Sequence, residues 1–224
     1  METFIIVPCL NEEDGLAATC ASLGFGSGGA PSGHLVLVDN GSTDGTFSVM
    51  SNVRESSPPG QVLIVQEPRR GYVPARRAGM AAVLERTRRD LIPPEATLIL
   101  QADADTIYLP GYVNAMVNAC AGRRGQLLEG CALTSREFNT HFPEFSELCR
   151  DVDAPMERWF APEVEQVVID DKVCAFLLAD YYDWGEHQQD LGVLSRNRRN
   201  FRHPSSSPAT SSSRSIILPS LWKV

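Results

Sequence analysis

Unbroken apolar runs recur through the first half of the chain, at 4–7, 35–38, 62–65 and 98–100. A strand covered on one face alternates apolar and polar positions, whereas short continuous runs are typical of strands buried on both faces of a parallel sheet. The stretches between them, 13–23, 43–53 and 74–89, are each long enough for a helix. The order predicted is therefore βαβαβαβ, an α/β domain with a mostly parallel central sheet flanked by helices. Pro93-Pro94 closes the third helix and delivers the chain into the fourth strand, and Pro110 opens a further helix through about residue 121. A later strand-like run lies at 167–169.

Composition changes along the rest of the chain. From 144 to 190 acids outnumber bases, and Phe145, Trp159, Phe160, Phe176, Tyr181, Tyr182 and Trp184 cluster. From Leu191 onward there is no acid, while Arg196, Arg198, Arg199, Arg202, Arg214 and Lys223 accompany a serine-rich stretch. The expected organisation is one domain over 1–190 and a basic, poorly ordered tail over 191–224. The length of 224 residues suits one domain with a substantial core.

A net charge of -8 argues against a nucleic-acid partner, which calls for a basic patch. Cys9, Cys20, Cys120, Cys131, Cys149 and Cys174 show no CxxC pair or zinc-like spacing. No secretory signal precedes the first strand, so these are expected to be reduced thiols of a cytoplasmic protein. No apolar run approaches the roughly 20 residues of a spanning helix. Membrane association is thus expected to be peripheral, at the inner face, or through a partner.

The chemistry collects where the strands end. The first runs into Pro8-Cys9-Leu10-Asn11-Glu12-Glu13, the second into Asp39-Asn40-Gly41-Ser42-Thr43-Asp44-Gly45-Thr46, and the fourth into Asp103-Ala104-Asp105-Thr106. Open α/β sheets bind ligands at such ends. Asp103 and Asp105, two apart on extended chain, point the same way and can share one hard divalent cation, which in turn holds a diphosphate. The plainer readings are an Asx-type turn ahead of Pro110 for that pair and helix capping for the other loops, with Asn11 capping the first helix, Glu12, Glu13 and Asp14 complementing its dipole, and Ser42 or Thr43 with Asp44 capping the second.

These pieces, in this order, resemble the GT-A glycosyltransferases of family 2, whose aspartate pair is called DXD; the likeness covers roughly residues 3 to 120. The resemblance implies a nucleotide-sugar-binding half over 1–121 and an acceptor-side half over 122–190. It implies Mg²⁺ or Mn²⁺ on Asp105, with Asp103 serving the metal or the donor ribose. It also implies a base contact from Asp39 and nucleotide contacts from Pro8, Asn11, Glu12, Ser42 and Asp44. Arg69-Arg70-Gly71-Tyr72 and Arg76-Arg77-Ala78-Gly79 match the family's third stretch, which makes Arg76, then Arg70, the expected diphosphate partners. Arg77 stands where the family usually has asparagine. Arg86, Arg88 and Arg89 read as a solvated helix face.

Inverting members carry a Glu-Asp pair whose aspartate deprotonates the acceptor. The nearest match here, Trp184-Gly185-Glu186-His187-Gln188-Gln189-Asp190-Leu191-Gly192, places His187-Gln188 at that pair. Glu186 and Asp190 are the first candidates for the base, His187 the next, and Asp171 of Asp170-Asp171-Lys172 the last. The function expected is metal-dependent, inverting transfer of a sugar from UDP or a similar nucleotide to a sugar, lipid-linked or small-molecule acceptor. The rivals are a retaining transferase of the glucosyl- or mannosyl-3-phosphoglycerate synthase type and a catalytically impaired nucleotide-sugar binder. A sugar-nucleotidyltransferase is set aside, because no glycine-rich triphosphate loop follows the first strand.

Overall fold

The computed structural model describes residues 1–27, 29–130, 140–144, 166–168, 173–184, 187 and 195–197. Their elements run β1 (Glu2–Cys9), α1 (Leu16–Ser22), β2 (His34–Asp39), α2 (Thr46–Ser56), β3 (Val62–Gln66) and α3 (Tyr72–Arg89). A 3₁₀ turn (Pro94–Ala96) then leads to β4 (Thr97–Gln101), α4 (Tyr112–Cys120), β5 (Leu128–Glu129), β6 (Gln166–Val168), β7 (Cys174–Leu177), α5 (Leu178–Asp183) and β8 (Ser195–Asn197).

Six strands form one sheet in the order β3-β2-β1-β4-β7-β5. The first four are parallel, with Cys9 opposite Asp39 and Ile6 opposite Gln101, so the three carboxylate-bearing loops leave the same edge. β7 runs antiparallel to β4 and β5, pairing Gln101 with Cys174. β6 and β8 form a separate antiparallel pair. β8 comes from beyond the expected boundary at 190, so at Ser195–Asn197 the chain carries structure that the tail reading did not foresee.

The continuous apolar runs are explained by burial from both sides. Ile5, Val7, Leu35, Leu37, Leu98 and Leu100 pack on Leu16, Cys20, Met50 and Met116 from α1, α2 and α4. Phe4, Ile6, Val36, Val38 and Ile99 face the other way, toward Met80 and Val83 of α3 and Tyr181 of α5. Gly79 lets α3 settle on that face: a Cβ there would lie 2.5 Å from Ile6 Cγ2 and 3.2 Å from Val38 Cγ2. The first of these is closer than side-chain carbons approach, so a side chain there would displace a closely packed core.

Helix starts differ from expectation for local reasons. α1 begins at Leu16 behind Gly15, with no side-chain cap and no acid in its first turn, so Asn11, Glu13 and Asp14 do not cap it. Glu13 serves the next helix instead, its Oε2 accepting the Gly45 N–H at 2.6 Å where α2 starts. α3 begins two residues early, at Tyr72, because Pro74 falls in the first turn, where its missing N–H costs nothing. β7 and α5 were not foreseen. Cys9, Cys20, Cys120 and Cys174 are buried and in no disulfide among the described residues, while Cys131 and Cys149 lie outside them. Among the described residues no helix is long and apolar enough to cross a membrane.

Candidate active site at the carboxyl edge of the sheet

The β1 and β2 loops are stitched to each other. Asn11, held at φ 59°, donates its N–H to Ser42 Oγ at 3.1 Å and accepts the Thr43 N–H on Oδ1 at 2.9 Å. Glu12 N–H reaches Thr46 Oγ1 at 2.7 Å, and Glu13 N–H reaches Asp44 Oδ2 at 3.3 Å. Ser42 is therefore a strut between loops rather than a helix cap. Asp44 does cap α2, its Oδ1 accepting from Thr46 N and Oγ1 at 3.0 and 2.5 Å, and these bonds lower its pKa.

Asp39 ends β2 almost wholly buried, its Oδ1 accepting the Ser42 N–H at 2.9 Å; Oδ2 has no partner among the described residues. Beside it, Pro8 is half-buried in β1 opposite Val38. The next residue, Asn40, is 4% exposed and binds the third loop, donating to Glu67 O (3.0 Å) and Arg69 O (2.8 Å) and accepting from Gly71 N (2.8 Å). Arg70 closes the same turn from outside through Nη2 to Gly41 O at 2.7 Å. Arg69 is spent on Glu67, with Nε and Nη2 each at 2.9 Å from its carboxylate, and this fork holds Glu67 down at about 2.

The Asp103–Asp105 loop is fixed from beneath. Tyr108 Oη accepts the Asp103 N–H at 2.8 Å, Thr19 Oγ1 donates to Ala104 O at 2.7 Å, and Ser22 Oγ accepts the Tyr108 N–H at 3.0 Å. Arg76 lies under the loop, 1% exposed, donating to Gln101 Oε1 and, at 3.4 Å, to Asp103 Oδ1. Arg76, expected to meet the diphosphate directly, is thus enclosed beneath the loop, with Asp103 between its guanidinium and the exposed side of the loop. Asp103 is part-exposed and Asp105 exposed.

Glu12 links the loops electrically. Its pKa is raised first by partial burial, then by the charges of Asp105, Asp44 and Asp103, so the carboxylates of all three segments share one field. Among the described residues no three Cys, His, Asp or Glu side chains could hold a metal by themselves. The set fits Mg²⁺ or Mn²⁺ nonetheless, since such hard ions take one or two carboxylates and fill the remaining positions with phosphate oxygens and water.

The acceptor-side candidates fare differently. Glu186, Asp190, Asp170 and Asp171 lie outside the described residues. His187 is 3% exposed, with Nδ1 2.8 Å from Tyr181 Oη, and its backbone N–H donates to the same oxygen at 3.1 Å. Tyr181 belongs to α5, whose Asp180 and Asp183 hold Arg124 at the end of β4 opposite the carboxylate loops. His187 is thus a buried histidine held by Tyr181. Asn40, Tyr108, Thr19 and Gln101 escaped sequence reasoning. Asn40 alone had a legible position, directly after the strand-ending aspartate.

The fold and this edge together define a class. A family model described as glycosyl transferase family 2 matches residues 4–126, which span the loops after β1, β2, β3 and β4, and the chain belongs to that family. Over 79 residues it is 39% identical to an uncharacterized glycosyltransferase of Mycobacterium tuberculosis strain H37Rv, covering 35% of this chain and 30% of that protein. The figures are the same for one from Mycobacterium bovis. The match thus spans under a third of the length of these curated relatives. Among solved structures, glucosyl-3-phosphoglycerate synthase of Mycobacterium tuberculosis in complex with uridine diphosphate is similar, with a TM-score of 0.50 and 18% identity over 80% of this chain and 57% of that one. The same synthase with Mn²⁺, UDP-glucose and phosphoglyceric acid gives the same figures. That likeness is one of fold, the GT-A architecture.

Proposed function

We propose that the chain is a metal-dependent glycosyltransferase that moves a sugar from a UDP-type nucleotide-sugar to an acceptor hydroxyl, with inversion at the anomeric carbon. The observation that carries the reading is geometric: β1, β2 and β4 run parallel and in register, so the loops bearing Glu12, Asp44, Asp103 and Asp105 meet at the carboxyl edge of the sheet, close enough for the other three carboxylates to raise the pKa of Glu12. Membership of family 2 supports it. So does a fold whose relative has been crystallised with Mn²⁺ and UDP-glucose.

In this reading Asp39 accepts the imide N–H of the base on Oδ2, while Pro8, Asn11 and Glu12 line the nucleoside and Arg70 flanks the diphosphate. Asp103 and Asp105 would hold Mg²⁺ or Mn²⁺, which would supply Lewis-acid stabilisation of the diphosphate leaving group. The acceptor oxygen bonds to the anomeric carbon as the bond to the diphosphate oxygen breaks. A carboxylate on the opposite side of the sugar, assigned to Glu186 or Asp190 in preference to the buried His187, takes the hydroxyl proton.

The test is a thermal-shift comparison of wild type and Asp105→Asn with UDP and UDP-sugars, with and without Mn²⁺. A ligand at 100 times its Kd stabilises by about 2.7 kcal/mol, about 5–10 °C for a chain of this size. Asp105→Asn should melt like wild type when unliganded and lose the Mn²⁺-dependent shift. Equal Mn²⁺-dependent shifts in both proteins would sink the metal assignment.

A further inference from the structure

Arg76 is the bulkiest of the fully buried side chains among the described residues, at 1% exposure. Burying a guanidinium is strongly unfavourable unless its charge and its donors are met. Here the partners identify what the charge is for. Nη1 donates to Gln101 Oε1 on the last residue of β4, itself fully buried. Nη2 donates to Asp103 Oδ1 at 3.4 Å, and the guanidinium carbon sits 4.6 Å from the centre of the Tyr72 ring, a cation–π contact.

The guanidinium thus bridges the end of the strand and the first carboxylate of the loop, from the protein side. Asp103 remains 29% exposed on its other side. The positive charge lies against Asp103, the carboxylate that stands beside Asp105 in the same loop. Tyr72 follows Gly71, whose N–H is held by Asn40, so the base-side loop and the carboxylate loop are joined through Asn40, Gly71, Tyr72, Arg76 and Asp103.

We infer that Arg76 is a positioning residue: it holds the Asp103 carboxylate in the orientation in which Asp103 and Asp105 take up a divalent cation together with a nucleoside diphosphate, without itself touching the donor. This rests on the function proposed above and adds a residue to that site. A residue that only stabilises the core would not separate nucleoside binding from cation-dependent diphosphate binding. A positioning residue does.

The experiment titrates UDP by calorimetry over a series of Mn²⁺ concentrations, and uridine without metal, for wild type, Arg76→Met, Arg76→Lys and Tyr72→Leu. Loss of a partner that orients a metal ligand typically costs about 10–100-fold in metal affinity. Arg76→Met should therefore raise the Mn²⁺ concentration for half-maximal UDP binding at least about tenfold, with uridine affinity within about twofold of wild type. Lysine supplies the charge without the planar fork, so Arg76→Lys should restore part of the loss. Tyr72→Leu, at a half-buried surface position, should move the Mn²⁺ midpoint the same way by less. If Arg76→Met does not fold, the lysine and Tyr72 variants carry the test. Unchanged Mn²⁺ midpoints in the folded variants overturn the inference. Uridine and UDP weakening in parallel overturns it too, in favour of a structural role. Absence of UDP binding by the wild type removes the proposed function and this inference with it.

Discussion

Asn40 offers the sharpest test of how the site is built. Its side chain makes three hydrogen bonds at 3.0, 2.8 and 2.8 Å to the backbone of the β3–α3 loop while being 4% exposed. Asn40→Ala removes all three. A typical net contribution is about 0.5–1.5 kcal/mol per bond, and a buried group left without a partner costs about 1–3 kcal/mol. Arg69 and Gly71 are exposed, so water can replace the bonds at Arg69 O and Gly71 N; Glu67 is buried, and its carbonyl is not so easily served. The sum is about 2–3 kcal/mol, or roughly 5–10 °C in Tm at this size.

Asn40→Asp separates hydrogen bonding from shape. The new carboxylate can still accept from Gly71 N, but where the amide donated it now turns a negative oxygen toward two carbonyls. At pH 7 it should be at least as destabilising as alanine. That gap should narrow as pH falls, because burial raises the pKa of the new group and its protonated form donates again. Urea unfolding followed by circular dichroism measures both, with a shifted midpoint at constant m. A cost under about 0.5 kcal/mol for Asn40→Ala, or wild-type stability of Asn40→Asp at pH 7, would refute the reasoning.

Two further outcomes follow from the same edge. Asp39→Ala should weaken UDP binding by about 1.5–3 kcal/mol, the worth of a hydrogen bond to a charged acceptor, while leaving the Mn²⁺ requirement unchanged; an unaltered UDP affinity by calorimetry would reduce Asp39 to a turn residue. Glu67, held at about 2 by Arg69, contributes stability that is full above the ordinary glutamate range near 4.5 and is lost as pH falls toward 2, so Glu67→Gln should flatten the acid limb of the Tm–pH profile between those values.

The parts legible in the sequence were those in which one residue's chemistry and its neighbours along the chain suffice. Continuous apolar runs revealed the buried parallel strands, and the aspartates just past them fall together at one edge of the sheet. Cross-chain partnerships were not legible. Nothing in the spacing says that Glu13 accepts the Gly45 N–H at the start of α2, or that Tyr108 holds the Asp103 backbone. Arg76 was noticed for its charge, but its burial was not, since the sequence does not reveal which face of α3 looks inward. The short α5 and β7 were missed because a four-residue apolar strand running straight into one and a half helical turns has no periodicity long enough to read.

Gly79 and Arg76 stand three residues apart on the inward face of α3. The carbon that glycine lacks is what lets the helix axis ride close enough to β1 and β2 for a side chain lying flat beneath it to reach the end of β4. Packing distance and electrostatics are therefore one mechanical variable in this molecule. A methyl group added at 79 would act as a shim, levering the helix off the sheet and drawing the guanidinium back from Asp103, so that a change wholly within the hydrocarbon interior would be felt as a change of charge at the surface.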